Sequence, residues 1–378
     1  MRVSFTRIEA KKKLNYFVEK KLIHYSKLRN FITDNQNQLT TSCLSPYITH
    51  GILTENEVIN ESLKKLPFSK CEKFIEEILW RVYWRGWLEL RPELWKDYIT
   101  NYKKINEDLK NNSIYKSAID GKTDIQCFND WVIDLKENNY LHNHVRMWFA
   151  SIWIFTLNLP WELGAAFFIK HLYDGDIASN TLSWRWVAGM QTKGKNYLAK
   201  EWNIRKFTNE KYNNIKINEI ALPLNSNTDY PMKLKEFKNP KVKRSENLLI
   251  FDNSLSFELK DNKNNFKKIF IVINNKRQIS LSKNVINLKN HFIEDQINRL
   301  DQENIKSEII NIDEINKIGS NFYALYPCIG ENLDFIKSYN SKEITFLYRG
   351  IDQYSWKYCD KGFFNFKKNI PNIIKNFC

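Results

Sequence analysis

The sequence of 378 residues predicts two parts of different fold class, an all-helical domain followed by a small α/β domain. Three observations predict this division. Eleven of the twelve tryptophans lie before residue 203. Apolar residues repeat at helical spacing up to about residue 208, and short apolar runs alternate with helical patterns from about residue 247. We therefore assign residues 1–208 to the helical domain, 209–246 to a linker and 247–378 to the α/β domain.

Capping patterns indicate where two helices of the first part begin. Thr54-x-x-Glu57 and Ser69-x-x-Glu72 both have the pattern of a capping box, and each precedes apolar residues at helical spacing. The second opens "CEKFIEEILWRVYWRGWLEL", which predicts a helix of about five turns. Three further helices are predicted, over residues 124–136, 143–157 and 161–172.

The remaining segments predict a linker and then a parallel sheet. Residues 209–246 are polar, contain three prolines and show weak periodicity, which is typical of a long linker laid over the first domain. After them, "LLIF", "KKIFIVIN", "EIINI", "FYALYP" and "EITFLY" predict short strands, with helical patterns between several of them. This alternation predicts a mostly parallel sheet in a small Rossmann-like domain. The domain has no GxGxxG pattern, so no nucleotide site is predicted there.

The net charge and the cysteine content indicate which partners and which cell compartment to expect. The formal net charge of +15 favours polyanionic partners such as nucleic acid, although an Asn/Lys/Ile-rich coding bias would give the same excess. The six cysteines form no CxxC pair, so we expect free thiols and no metal site. The opening residues lack an apolar h-region, so we expect no signal peptide, and no apolar run reaches membrane-spanning length. We expect a soluble, cytoplasmic monomer with no membrane partner.

Two segments combine small polar and charged side chains near predicted helix starts and faces. "TTSCLSPYITHG", residues 40–51, places hydroxyl groups at a predicted helix start, which suits a phosphate; an ordinary capped turn is the alternative. Glu77, Trp80 and Arg81 share one stripe of the predicted five-turn helix. A surface Glu–Arg pair beside a half-buried indole is the alternative there.

Two later segments add carboxylates, an arginine and indoles. In "NNYLHNHVRMW", Asn143, Arg146 and Met147 share one helical face. "DGDIASNTLSWRW" holds two aspartates and two indoles; Asp174 is a candidate partner for Arg146, and Asp176 a candidate acceptor for an imide-type N–H. Packing explains each segment taken singly, but the four together indicate a large bound cofactor.

In order and spacing, these motifs resemble the FAD-binding helical domain of the DNA photolyase/cryptochrome superfamily over residues 25–205. The order of the two domains resembles the inverted-topology bacterial branch of new photolyase-like proteins. The resemblance implies FAD as the cofactor, with Asn180 at the flavin N5 position. The residues that it places around FAD are Tyr25, Arg29, Thr41, Ser42, Leu44, Ser45, Phe74, Arg81, Tyr140, Asn143, Arg146, Asp174, Asp176 and Asn180.

The resemblance also implies a substrate pocket and an activity. Four residues match positions that line the cyclobutane-dimer pocket of the family: Glu77, Trp80, Met147 and Trp186. The implied activity is that of a deoxyribodipyrimidine photolyase, which splits cyclobutane pyrimidine dimers in UV-damaged DNA by light-driven electron transfer from reduced FAD. Single-stranded DNA is the substrate form that the branch implies.

The residues expected to act in the chemistry are Glu77, Asn180, Trp161 and Trp184. Trp184 and Trp161 match the inner and middle members of the family's relay of three tryptophans. No tryptophan stands at the position of the outer member, and the candidates to replace it are Trp95, Tyr98, Tyr102 and Trp153. Two other functions stay open: a cryptochrome-like FAD photoreceptor without repair activity, and a basic nucleic-acid-binding protein that has lost its cofactor.

Overall fold

The computed structural model describes residues 5–33, 40–225, 228–243, 246–255, 266–318, 322–338 and 344–378. The first part of the chain is helical, as predicted, and a π-helical turn over Ile152–Thr156 continues its ninth helix. Within the described residues, its helices are α1 Arg7–Lys20, α2 Tyr25–Leu28, α3 Ser45–Thr49, α4 Glu55–Lys65, α5 Phe68–Glu89, α6 Glu93–Leu109, α7 Ser113–Asp120, α8 Gln126–Asn138, α9 Asn143–Ser151, α10 Trp161–His171, α11 Ile177–Val187 and α12 Glu201–Phe207.

One of the two predicted capping boxes forms. At the start of α4, the Thr54 hydroxyl accepts from the backbone N–H of Glu57, and the Glu57 carboxylate accepts from the backbone N–H of Thr54. The predicted box at Ser69 is wrong, because α5 begins at Phe68, directly after Pro67. Proline fixes φ near −65° and has no N–H to satisfy, so it starts the helix before Ser69 is reached.

The segment after α12 lies against the helical part of the chain. Residues 209–225 and 228–243 contain no helix or strand. Their backbone bonds instead to the helical part: Leu224 N–H donates to the Ala188 carbonyl over 2.9 Å, and Lys233 N–H donates to the Leu90 carbonyl over 2.8 Å. These bonds satisfy backbone groups that would otherwise need water.

The C-terminal part contains a five-stranded sheet in which every pairing is parallel. The strand order is β3-β2-β1-β4-β5, so the predicted parallel sheet is confirmed. The strands are β1 Glu246–Phe251, β2 Phe266–Ile273, β3 Ser307–Asn311, β4 Phe322–Leu325 and β5 Ile344–Leu347. The helices of this part are α13 Lys283–Gln302, α14 Glu331–Ser338, α15 Gly350–Ser355, α16 Phe363–Lys367 and α17 Ile370–Phe377. Among the described residues, no helix has the length and apolar composition that crossing a membrane requires.

Helical-part side chains reach the carboxyl-end edge of the sheet. In an open parallel sheet, ligands bind where the strand order reverses, which here is between β1 and β4. Glu89 of α5 accepts from the Tyr326 hydroxyl and from the Ile329 N–H, both over 2.7 Å, just beyond β4. The His50 ring lies 3.0 Å from the Asp252 carbonyl, just beyond β1. The two parts of the chain therefore share one buried interface at this edge.

Close packing of Gly86 joins α5 to the C-terminal part. A methyl group added at Gly86 would lie 2.4 Å from Cδ1 of Trp356 and 2.6 Å from Sγ of Cys359, both of which are fully buried. These separations are shorter than any van der Waals contact, so an alanine requires the rigid indole or α5 to move.

We expect Gly86→Ala to destabilise the protein. Overpacking costs about 1–3 kcal/mol, and the better helix propensity of alanine offsets no more than about 1 kcal/mol. Denaturant unfolding of the full chain measures the change. Gly362→Ala is the matched control, because Gly362 has φ −65° and no heavy atom within 4 Å of the added methyl. Equal midpoints for the two variants would contradict the packing described.

Candidate active site

A cavity of about 380 Å³ opens in the helical part. Its walls come from α5, α9, α11 and the segment that precedes α3, and its size falls in the range typical of small-molecule and cofactor sites. The structure brings most of the predicted site residues together around it: Tyr25, Thr41, Ser42, Leu44, Ser45, Phe74, Glu77, Trp80, Arg81, Tyr140, Asn143, Arg146, Met147, Asp174, Asn180, Trp184 and Trp186.

Hydroxyl groups line the side of the cavity formed by the segment before α3. Thr41, Ser42 and Ser45 all reach the cavity. The Thr41 hydroxyl lies 3.2 Å from the Tyr140 hydroxyl, so the segment is tied to the loop that precedes α9. This wall offers neutral hydrogen-bond donors, as the sequence predicts for a phosphate-bearing ligand.

An ion pair also lines the cavity. Nη2 of Arg146 lies 2.9 Å from Oδ2 of Asp174, and Nε of Arg146 donates to the Leu141 carbonyl over 2.8 Å. Burial alone would raise the pKa of Asp174, but the Arg146 guanidinium outweighs it and holds the pKa below its usual value. The carboxylate is therefore ionised, and its Oδ1 has no hydrogen-bond partner among the described residues.

The structure does not bring Asp176 to the cavity. Its Oδ2 lies 2.8 Å from Nη2 of Arg85, and its Oδ1 accepts from the Ser179 N–H over 2.8 Å at the start of α11. Burial would raise the pKa of Asp176, but Arg85 and Arg81 hold it far below its usual value. Asp176 therefore caps a helix and neutralises Arg85, and its role as the imide acceptor stays a prediction.

Arg29 and Trp161 also lie outside the cavity lining. Arg29 contacts a lining residue, because its Nη1 lies 2.5 Å from Oε1 of Glu77, and Glu77 lines the cavity. Burial raises the pKa of Glu77, and the ion pair with Arg29 opposes that shift. Trp161 begins α10, and its ring centroid lies 5.3 Å from that of Tyr98.

Two groups of aromatic rings include the predicted relay tryptophans, and one of the groups contacts Trp184. Trp184 lines the cavity, and its ring centroid lies 6.2 Å from that of Trp153, which lies 6.0 Å from Tyr115. In the second group, the ring of Trp161 contacts that of Tyr98, which lies 5.4 Å from Trp95. Trp153 is therefore in direct contact with Trp184, whereas Trp95 and Tyr98 belong to the group around Trp161.

Sequence reasoning missed several lining residues. Asn180 was predicted, and its amide donates to the Ala165 carbonyl over 2.9 Å, but its neighbours Ser179 and Ser183 on α11 were not. Trp84 follows Trp80 by one helical turn, so the spacing alone would have indicated it. The full set of missed residues is Cys43, Ile48, Ile78, Trp84, Leu141, Ala150, Phe168, Leu172, Ser179, Ser183 and Val187.

Comparison with known proteins agrees with this geometry. Residues 74–217 match the family model described as the FAD binding domain of DNA photolyase. The chain is 31% identical over 153 residues to a deoxyribodipyrimidine photo-lyase from Streptomyces griseus, covering 40% of this chain and 33% of the relative. It is 27% identical over 163 residues to the enzyme of that name from Vibrio cholerae, covering 42% and 34%. The matched region thus spans about a third of the length of these curated relatives.

Two solved structures are similar to part of this chain. A bacterial class III photolyase from Agrobacterium tumefaciens superposes with a TM-score of 0.45 at 27% identity, covering 53% of this chain and 42% of that one. A cryptochrome from Synechocystis gives a TM-score of 0.46 at 18% identity, covering 53% and 43%. Residues 74–217 are thus similar to the FAD-binding domain of DNA photolyase.

The residues around the cavity fit a flavin cofactor. Asp174 supplies an ionised oxygen without a partner among the described residues, and such a buried group requires a donor from a ligand or from water. The hydroxyls of Thr41, Ser42 and Ser45 supply donors for phosphates, and Phe74 and Tyr25 supply apolar surface. In the described part of the chain, no group of three or more His, Cys, Asp or Glu is arranged to hold a metal ion.

We expect Asp174→Asn to purify with much less flavin than the parent, because the substitution removes the ionised acceptor and half of the ion pair with Arg146. Flavin absorbance per mole of protein measures this. Thr181→Val is the matched control, because Thr181 also has a buried oxygen without a partner in the described residues but lies outside the cavity. Equal loss of flavin from both variants would mean that the effect comes from folding and not from the site.

Proposed function

We propose that this protein is a light-dependent DNA repair enzyme that splits cyclobutane pyrimidine dimers with FAD as its cofactor. One observation carries the proposal. Glu77, Trp80, Met147 and Trp186 line the same cavity as the Arg146–Asp174 ion pair. A flavin held by that pair and a dimer held by the other four residues would therefore share one water-poor space.

The side chains have separable roles in this proposal. Reduced FAD, when bound, supplies the light-excited electron. Arg146 and Asp174 hold the cofactor and set the charge beside it. Trp80 and Trp186 offer aromatic surface on which the bases of a dimer stack, worth about 1–3 kcal/mol per base. Met147 supplies a polarisable apolar contact that adapts to the shape of the dimer.

Glu77 is suited to act as a hydrogen-bond donor. A carboxylic acid donates only when protonated, and burial raises the pKa of Glu77 in that direction. The protonated group would donate to a thymine carbonyl and stabilise the negative charge that develops there. Arg29 pairs with Glu77 and favours its ionised form. In this proposal the ion pair breaks when a dimer binds, so that Glu77 can be protonated.

The substrate form that we propose is single-stranded DNA. A dimer has to leave the base stack to reach the cavity, and unstacking costs a few kcal/mol in a duplex but less in a single strand. The net charge of +15 attracts the phosphate backbone. Lys193 and Lys195 are exposed in the loop that follows α11, close in sequence to Trp186 and to Tyr197, whose rings stack at 5.6 Å.

We infer that the protein works in a reducing compartment such as the cytoplasm. All six cysteines lie within the described residues, and none of them forms a disulfide. Cys71, Cys127 and Cys359 are buried, which is typical of thiols that serve only as small apolar side chains.

We expect Glu77→Ala to retain FAD but to repair dimers about 10²–10³-fold more slowly, because it removes the hydrogen-bond donor proposed to stabilise the charge that develops on the dimer. Single-turnover repair of a dimer-bearing oligonucleotide by the chemically reduced protein measures the rate. Glu77→Gln is the control, since its amide still donates and is expected to keep most of the rate. Unchanged repair by Glu77→Ala would remove Glu77 from the mechanism.

We expect Trp184→Phe to slow the blue-light reduction of oxidised flavin while leaving repair by chemically reduced protein intact. Phenylalanine keeps an aromatic ring in the core but is much harder to oxidise. Trp153→Phe and Trp161→Phe then show which group of rings supplies Trp184, because only the ring in the relay should affect the rate. Photoreduction at the parent rate in all three variants would mean that these indoles only pack the core.

A further inference from the structure

A phenylalanine from the C-terminal part of the chain covers one face of Trp80. The rings of Phe363 and Trp80 are stacked, with centroids 3.5 Å apart and planes inclined by 11°. Trp80 is half-buried and lines the cavity, whereas Phe363 is 5% exposed and lies outside the lining. The indole thus reaches the cavity while the phenyl ring covers one of its faces.

The segment that carries Phe363 is attached to α5 on both sides of this stack. Before it, the Tyr83 hydroxyl donates to the Lys361 carbonyl over 2.9 Å, and Arg91 donates to the Asp360 carbonyl over 2.8 Å. Because the acceptors are backbone carbonyls, these hydrogen bonds fix the position of the main chain before Phe363.

After the stack, Lys367 pairs with two carboxylates of α5. Its Nζ lies 3.0 Å from Oε1 of Glu72 and also pairs with Glu76. Glu72, Glu76, Trp80 and Tyr83 follow one another at intervals of four, four and three residues, so they form one stripe of the helix. The C-terminal segment thus runs along this stripe.

The next stripe of α5 faces the cavity. Glu77, Arg81 and Trp84 all line it. Trp80 stands at the boundary between the two stripes, since it lines the cavity and also stacks on Phe363. Its ring centroid also lies 5.2 Å from that of Trp84 and 5.5 Å from that of Tyr83. The orientation of the indole is therefore set jointly by α5 and by the C-terminal segment.

We propose that Phe363 is a positioning residue for substrate binding, which holds the Trp80 indole so that its cavity side is presented to a base of the dimer. The inference rests on the proposed function, in which Trp80 stacks on the substrate. Ordering a side chain at the moment of binding lowers affinity, and a ring that is already held avoids that loss. The C-terminal part of the chain thereby contributes to affinity without touching the substrate.

Phe363→Leu tests this proposal, because leucine keeps the buried apolar contact but removes the flat ring. The dissociation constant of a dimer-bearing single-stranded oligonucleotide, measured in the dark, should rise about 2- to 10-fold, as expected for loss of an aromatic pair. Flavin content and single-turnover repair at saturating DNA should match the parent. Phe363→Tyr keeps the ring and should restore the parent affinity.

Two further variants exclude a general effect on the segment. Phe364→Ala changes the neighbouring phenylalanine, which is 82% exposed, and should leave the dissociation constant unchanged. In a Trp80→Ala background, Phe363→Leu should have no further effect, because the residue acts only through the indole.

Several outcomes would overturn the inference. Unchanged affinity in Phe363→Leu would show that the indole needs no support. Tighter binding would show that Phe363 competes with the substrate for Trp80. An equal loss of affinity in Phe364→Ala would show a general effect of the segment. A parent protein that holds flavin but neither binds nor repairs the dimer would overturn the proposed function itself, a result distinct from the other three.

Discussion

The guanidinium of Arg85 on α5 is buried and needs carboxylates to neutralise it. The residues that supply them fix the arrangement of the surrounding elements. Arg85 pairs with Asp176 at the start of α11 over 2.8 Å and lies 3.8 Å from Glu55 at the start of α4. Glu55 in turn pairs with Arg349 of the C-terminal part over 2.8 Å. Leaving one such charge unpaired typically costs about 3–5 kcal/mol, so α4, α5, α11 and the sheet domain are held in one relative position.

This network lies beside the cavity and meets it at Arg81, which lines the cavity and lies 3.9 Å from Oδ2 of Asp176. Asp176 fixes the start of α11, and α11 carries Asn180, Trp184 and Trp186 into the cavity wall. α5 brings Glu77 and Trp80 to the same space. The C-terminal part therefore supplies Arg349 to the buried charges and Phe363 to one face of Trp80.

Much of this could be predicted from the sequence, because short-range patterns carry it. Helical spacing placed Glu77 and Trp80 together, and buried parallel strands appear as continuous apolar runs. Two contacts that the sequence did not predict join residues that are far apart in sequence. The pairing of Asp176 with Arg85 was not predicted, because the two residues lie 91 positions apart in sequence. The stack of Phe363 on Trp80 was missed for the same reason. The predicted cap at Ser69 was wrong for a local reason, because Pro67 starts α5 at Phe68.

The central claim is that one cavity holds both a flavin and a pyrimidine dimer. The most direct test is light-dependent repair by the purified full chain, with a single-stranded oligonucleotide that carries one dimer, compared under blue light and in the dark. The account predicts that the protein shows flavin absorbance and restores the dimer to two pyrimidines only in the light. A protein that carries flavin and leaves the dimer intact under illumination would contradict it.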